Sequence, residues 1–107
     1  IFTKLEVEPS VNKEEWQKFL AKNLQSVIEE AAAKGAEPGN YVVNLRFIVK
    51  KDGSMSDITA LNDPGYGFAK KTIEIMRHSP KWSPGIQNGK PVNSYHTQPV
   101  TIVIQEE

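Results

Sequence analysis

The stretch that most constrains this chain is Pro80–Val92, Pro-Lys-Trp-Ser-Pro-Gly-Ile-Gln-Asn-Gly-Lys-Pro-Val. It holds three of the seven prolines, Pro80, Pro84 and Pro91, and two of the seven glycines, yet it carries a large aromatic, Trp82. Pro80 ends any helix before it, because its ring clashes with the preceding turn and it has no N–H to donate. Pro84-Gly85 carries a turn signal, and Asn88-Gly89 is the strongest short hairpin signal, since both residues accept positive φ. A connector that turns twice and is pinned by a buried indole delivers the next segment, Tyr95–Gln105, in a fixed direction.

The elements on either side can be read from period and punctuation. Phe2–Val7 alternates, with Leu5 and Val7 apolar on one side, and reads as a short half-buried strand. Asn12 is placed to cap a helix, with Glu15 at the third helical position and Val11 able to pack against Trp16. Trp16, Phe19, Leu20, Leu24, Val27, Ile28 and Ala31 then recur at three- and four-residue spacing, an amphipathic helix of about five turns closed near Gly35. A cofactor or membrane role for that stripe is outweighed by simple core packing. Tyr41–Lys50 alternates with Tyr41, Val43, Leu45, Phe47 and Val49 on one face. Lys51–Ser54 turns the chain, and Met55–Leu61 returns. After the breakers of Asn62–Gly67, a second helix runs from about Tyr66 to His78, with Phe68, Thr72, Ile73, Ile75 and Met76 inward. In the last strand, Val100, Ile102 and Ile104 share one face.

Strand order follows. The first two long strands form a hairpin, and the helix after the second carries the chain back. In an all-antiparallel sheet the last strand therefore lies beside Tyr41–Lys50, giving the order 55–61, 41–50, 95–105 with the last strand at an edge. Pro99 agrees, because proline cannot donate to a ladder and is confined to edges, strand starts and bulges. The expected architecture is α+β, a two-layer sandwich of one antiparallel three-stranded sheet with two helices on one face and a possible short N-terminal strand.

A chain of 107 residues makes one domain, 1–107, burying roughly 60–65% of its unfolded surface. Its thirteen basic and thirteen acidic residues cancel and are dispersed, so nothing draws it electrostatically to nucleic acid or an anionic membrane. No apolar run approaches the roughly 20 residues that span a bilayer. There is no cysteine, which rules out a disulfide scaffold or thiolate metal site. Starting at Ile1, the chain reads as a piece of a longer protein.

Nothing is arranged for catalysis. His78 and His96 are the only imidazoles. Ser54, Ser56, Asp52 and Asp57 lack a nucleophile-elbow pattern, scattered carboxylates lack metal-ligand spacing, and Gly65-Tyr-Gly67 is not a phosphate-binding motif. No cofactor is expected. What remains is the edge strand, whose unpaired N–H and C=O groups can pair with an extended segment. Such an edge can equally be protected by Pro99, Glu106-Glu107 and the N-terminal strand.

Pro-Lys-Trp-Ser-Pro-Gly, then Asn-Gly-Lys-Pro-Val, Tyr95, Thr97 and Pro99-Val100-Thr101 resemble the end of the TonB C-terminal domain. Val49–Asp57 resembles that family's strand–turn–strand signature, and Lys18–Leu24 its first helix, so the resemblance covers roughly residues 14–104. Members commonly carry a Tyr-Pro pair soon after Asn-Leu. Here Asn23-Leu24 runs on with no proline until Pro38, so the first helix should be longer. The resemblance implies a periplasmic domain, tethered in the full-length protein to the inner membrane and driven there by the ExbB–ExbD proton motor. It would bind the TonB box of an outer-membrane transporter as an added strand. The implied contact segment is Ser94–Ile104: Tyr95, Thr97, Gln98, Thr101 and Val103 by side chain as well, Val100, Ile102 and Ile104 through the backbone. Pro80, Trp82, Pro84, Gly85, Asn88, Gly89 and Pro91 would be scaffold. Two alternatives stand beside it: a TonB-like module with another partner, and a structural domain whose edge pairs with its own copy in a homodimer.

Overall fold

The computed structural model describes residue 2 and residues 5–106. Asn12 opens α1 (Lys13–Ala33), its Oδ1 accepting from the Glu15 N–H at 3.0 Å and so satisfying one orphan donor of the first turn. At the far end Gly35 takes φ 90°, and the N–H groups of Gly35 and Ala36 donate to the carbonyls of Ala32 and Ala31 at 3.0 Å. That pair of bonds is a Schellman closure. The helix buries Trp16, Leu24, Val27 and Ala31, with Phe19, Leu20 and Ile28 packed at the core margin.

β1 (Gly39–Val49) and β2 (Met55–Ala60) form the expected hairpin. At its turn the Asp52 carboxylate accepts from the Ser54 hydroxyl at 2.6 Å and the Ser54 N–H at 2.9 Å. Those bonds hold its pKa below the ordinary carboxylate value. After Asn62–Gly67 comes α2 (Phe68–Met76), burying Phe68, Ala69, Thr72 and Met76. It ends two residues before the expected His78. There His78 and Ser79 turn back onto the carbonyls of Ile75 and Met76 before Pro80 forbids a further turn. Glu30 of α1 pairs with Lys34, which caps the same helix, and with Lys71 of α2, and its pKa is lowered through the Lys71 and then the Lys34 hydrogen bond.

The connector differs from expectation at one point. Asn88 (φ 52°) and Gly89 (φ 73°) form the hairpin turn joining β3 (Gly85–Gln87) to β4 (Lys90–Val92), a type I′ pattern. Pro84-Gly85 is not a turn: Gly85 already begins β3. Its missing Cβ is used for close approach, since a methyl there would collide with the Leu5 side chain and crowd Ser94 Oγ at 3.0 Å. Trp82 is buried as expected. Its indole N–H donates to Ser79 Oγ at 3.1 Å, and its ring meets Trp16 and Phe47 edge-on at 5.5 and 5.3 Å. Its backbone N–H donates to the Gly53 carbonyl at 3.0 Å, tying the connector to the β1–β2 turn.

β5 (Ser94–Ile104) completes an antiparallel sheet in the order β2-β1-β5, paired with β1 from Val49–Ser94 to Gly39–Ile104. The α+β sandwich is therefore as anticipated, with β5 at an edge. One face of the sheet carries Val43, Leu45, Phe47, Val49, Val100, Ile102 and Ile104 into the core with the helices. The expected N-terminal strand falls partly on residues 3 and 4, outside the described residues. Among the rest, Phe2, Val7 and Ser10 make isolated bridges to Ser94, Ile86 and Ser83 in place of a continuous ladder. Val7, anticipated on the buried side, is 52% exposed. Its backbone is spent on Ile86, so its side chain has no sheet layer to enter.

Candidate docking edge

Which backbone groups of β5 face outward follows from three hydrogen bonds. Tyr95 donates its N–H to the Phe2 carbonyl at 2.9 Å, on the side away from β1. Asn44, the partner of Pro99, spends its own N–H on Asn62 Oδ1 at 2.7 Å and its carbonyl on the Leu61 N–H at 2.8 Å, both on the β2 side. An antiparallel ladder alternates bonded and non-bonded pairs. Residues 95, 97, 99, 101 and 103 therefore turn their N–H and C=O groups to the outer edge, and the even-numbered residues turn theirs to β1. Pro99 lies in the outward set, so its missing N–H removes no bond from the sheet.

Side chains alternate with the same period. Ser94, Val100, Ile102 and Ile104 are buried beneath the helices, while Thr97, Thr101 and Val103 are exposed on the open face. Gln98 folds over the edge, its Nε2 donating to the Pro99 carbonyl at 3.2 Å and its Oε1 lying 3.3 Å from His96 Nε2. The anticipated segment Ser94–Ile104 thus narrows. Ser94, Val100, Ile102 and Ile104 offer neither side chain nor backbone to the edge, Tyr95 has its N–H taken by Phe2, and Pro99 is half-occupied by Gln98. Among the described residues, the N–H and C=O groups of Thr97, Thr101 and Val103 have no partner.

The opposite edge is built differently. β2 is six residues long, its register with β1 shifts between Arg46 and Ile48, and Asp57 in that shift takes φ 52°. Short length, a bulge and a charge are the ordinary devices that blunt an edge. Only β5 presents a long, regular margin.

Two further residues stand beside it that sequence reasoning passed over. Arg46 lies across the open face with its guanidinium carbon 5.0 Å from the centre of the Tyr95 ring. Glu8 joins Arg46, Tyr95, His96 and Thr97 around a hollow at the margin of the strand. The alternation of β1 placed Arg46 on the uncovered face, but its reach toward β5 depends on a register that no local pattern gives. Elsewhere, of the serines, aspartates and histidines considered for catalysis, Asp52 and Ser54 bond to each other in the β1–β2 turn, while His96 Nε2 lies against Gln98. Among the described residues no group of three or more His, Cys, Asp or Glu side chains could hold a metal ion, and no helix is long and apolar enough to cross a membrane.

Fold and edge together define a class: a small α+β domain with one blunted and one open sheet margin. Residues 29–102 match the family described as Gram-negative bacterial TonB protein C-terminal, and the chain belongs to that family. The matched residues include Val49–Asp57 and the whole connector; Lys18–Leu24, read as the family's first helix, lies within α1 but outside them. The family is one of protein interaction and energy transduction and not an enzyme class. No curated protein matches the chain.

Proposed function

We propose that this domain binds the TonB box of an outer-membrane transporter by strand addition along β5 between Thr97 and Val103. In the periplasm it would pass on energy from an inner-membrane ExbB–ExbD motor, through parts of the full-length protein beyond this chain, to drive nutrient uptake. The observation that carries the reading is the outward-facing backbone of Thr97, Thr101 and Val103 on a long edge, opposite an edge blunted by a bulge. Each added backbone bond contributes roughly 0.5–1.5 kcal/mol net of water. Ordering the peptide offsets much of that gain, which leaves a link that forms, bears load along the strand and releases.

Thr101→Pro tests the proposal, because it removes one outward N–H and leaves the bonds to β1 in place. Titration of a transporter TonB-box peptide should shift the amides of residues 97–103. The variant should bind about fivefold more weakly, the equivalent of one bond of about 1 kcal/mol. N-methylation of the peptide at alternate positions should weaken binding to the unaltered domain. Binding that leaves the β5 amides unmoved and is indifferent to both changes would place the contact elsewhere and overturn the reading.

A further inference from the structure

We infer that the β5 edge reads an acidic side chain on the docked strand, through Arg46, at the position alongside Thr97; this rests on the strand-addition reading above. Arg46 sits on β1 directly opposite Thr97, yet its guanidinium reaches the ring of Tyr95 on the next strand. The side chain therefore leans from β1 toward β5 on the open face, where its cross-strand neighbour is a small residue, Thr97. Among the described residues no carboxylate stands within 4.0 Å of it, the only ion pairs being those of Glu30. Neighbouring strands are about 4.8 Å apart, so a long open-face carboxylate on an added strand beside Thr97 can meet a guanidinium that already leans toward β5. Tyr95 holds that guanidinium by its ring face, an arrangement that leaves its N–H edges free for a planar carboxylate.

The two faces of the edge give the site a direction. A strand docked in register puts its carboxylate on the open face by Arg46. Slipping by one residue moves every side chain to the other face, the helix side, where His96 packs on Trp82 and Phe47 at 5.0 and 5.7 Å. A cation on the open face thus selects a register that uniform backbone bonding leaves open. Glu8 lines the same hollow as Arg46, so its carboxylate competes with a docked one.

The probes are end-blocked seven-residue peptides of alternating valine and threonine carrying one glutamate or one glutamine, the position moved residue by residue and followed by amide shifts at low salt. With the unaltered domain, one glutamate position should bind roughly two- to fivefold more tightly than its glutamine counterpart, the scale of a partly exposed ion pair, and the gain should shrink as salt is raised. Arg46→Gln should abolish that preference while peptides still shift Thr97–Val103, and Arg46→Glu should transfer it to a lysine peptide. Glu8→Gln, which takes a competing carboxylate out of the hollow shared with Arg46, should widen the difference between the glutamate and glutamine peptides. Equal binding of glutamate and glutamine peptides at every position, with the β5 shifts intact, overturns the acidic reading and leaves strand addition standing. Peptides that move no β5 amide overturn strand addition, and this inference with it.

Discussion

Gly53 shows how much one residue carries. It turns the β1–β2 hairpin at φ 85°, accepts the Trp82 N–H on its carbonyl, and has the Trp82 carbonyl where a side chain would begin. Gly53→Ala therefore meets two penalties at once, a left-handed backbone and a collision with main chain that cannot swing away. We expect a loss of at least about 2 kcal/mol in the unfolding free energy from denaturant titration, with the connector amides shifted; a variant within about 0.5 kcal/mol of the parent, the scatter of ordinary surface changes, would refute that account. Asp-Gly as a turn was legible in the sequence, and so was Trp82 as an anchor. That the two meet was not, because residues so far apart in the chain are joined only by the packing of sheet and connector. Gly85 teaches the converse. Proline followed by glycine signals a turn through backbone freedom, but here the glycine serves to leave room for Leu5.

For α1 and the three long strands, period and punctuation were sufficient. The spacing of Trp16 through Ala31, with Asn12 and Gly35 at its ends, specifies α1. The absence of proline between Leu24 and Pro38 accounts for its length. The alternation of β1 and β5 specifies which side chains are inward. It does not specify which backbone groups are outward, since that depends on which residues pair. This makes β5 testable by hydrogen exchange. His96, Gln98, Val100 and Ile102, bonded to β1, should exchange slowly, and Thr97, Thr101 and Val103 quickly, with peptide binding slowing the second set. Uniform protection along β5 in the free domain would mean that the edge is already paired.

Across the whole molecule, the N-terminal segment decides how much of that edge is available. Among the described residues, Phe2 bonds to Asn93 and Tyr95, Val7 to Ile86 and Ser10 to Ser83, a strap along the connector that reaches the first outward position of β5. Removing residues 1–4 should free the Tyr95 N–H and lengthen the open margin. Its exchange should then speed up, and light scattering at raised concentration should show more dimer, as unpaired edges find each other. Unchanged Tyr95 exchange in the shortened chain would show that Phe2 is not what protects it. The sequence by itself determined the helices, the three long strands, their order in the sheet and the edge position of the last strand, because hydrophobic period, caps and the ban on interior proline act locally. The tertiary structure alone decided the free backbone groups of β5, the blunting of β2 and the meeting of Arg46 and Glu8 in one hollow beside the edge. Register and long-range packing set these, and neither is written in any short stretch of residues.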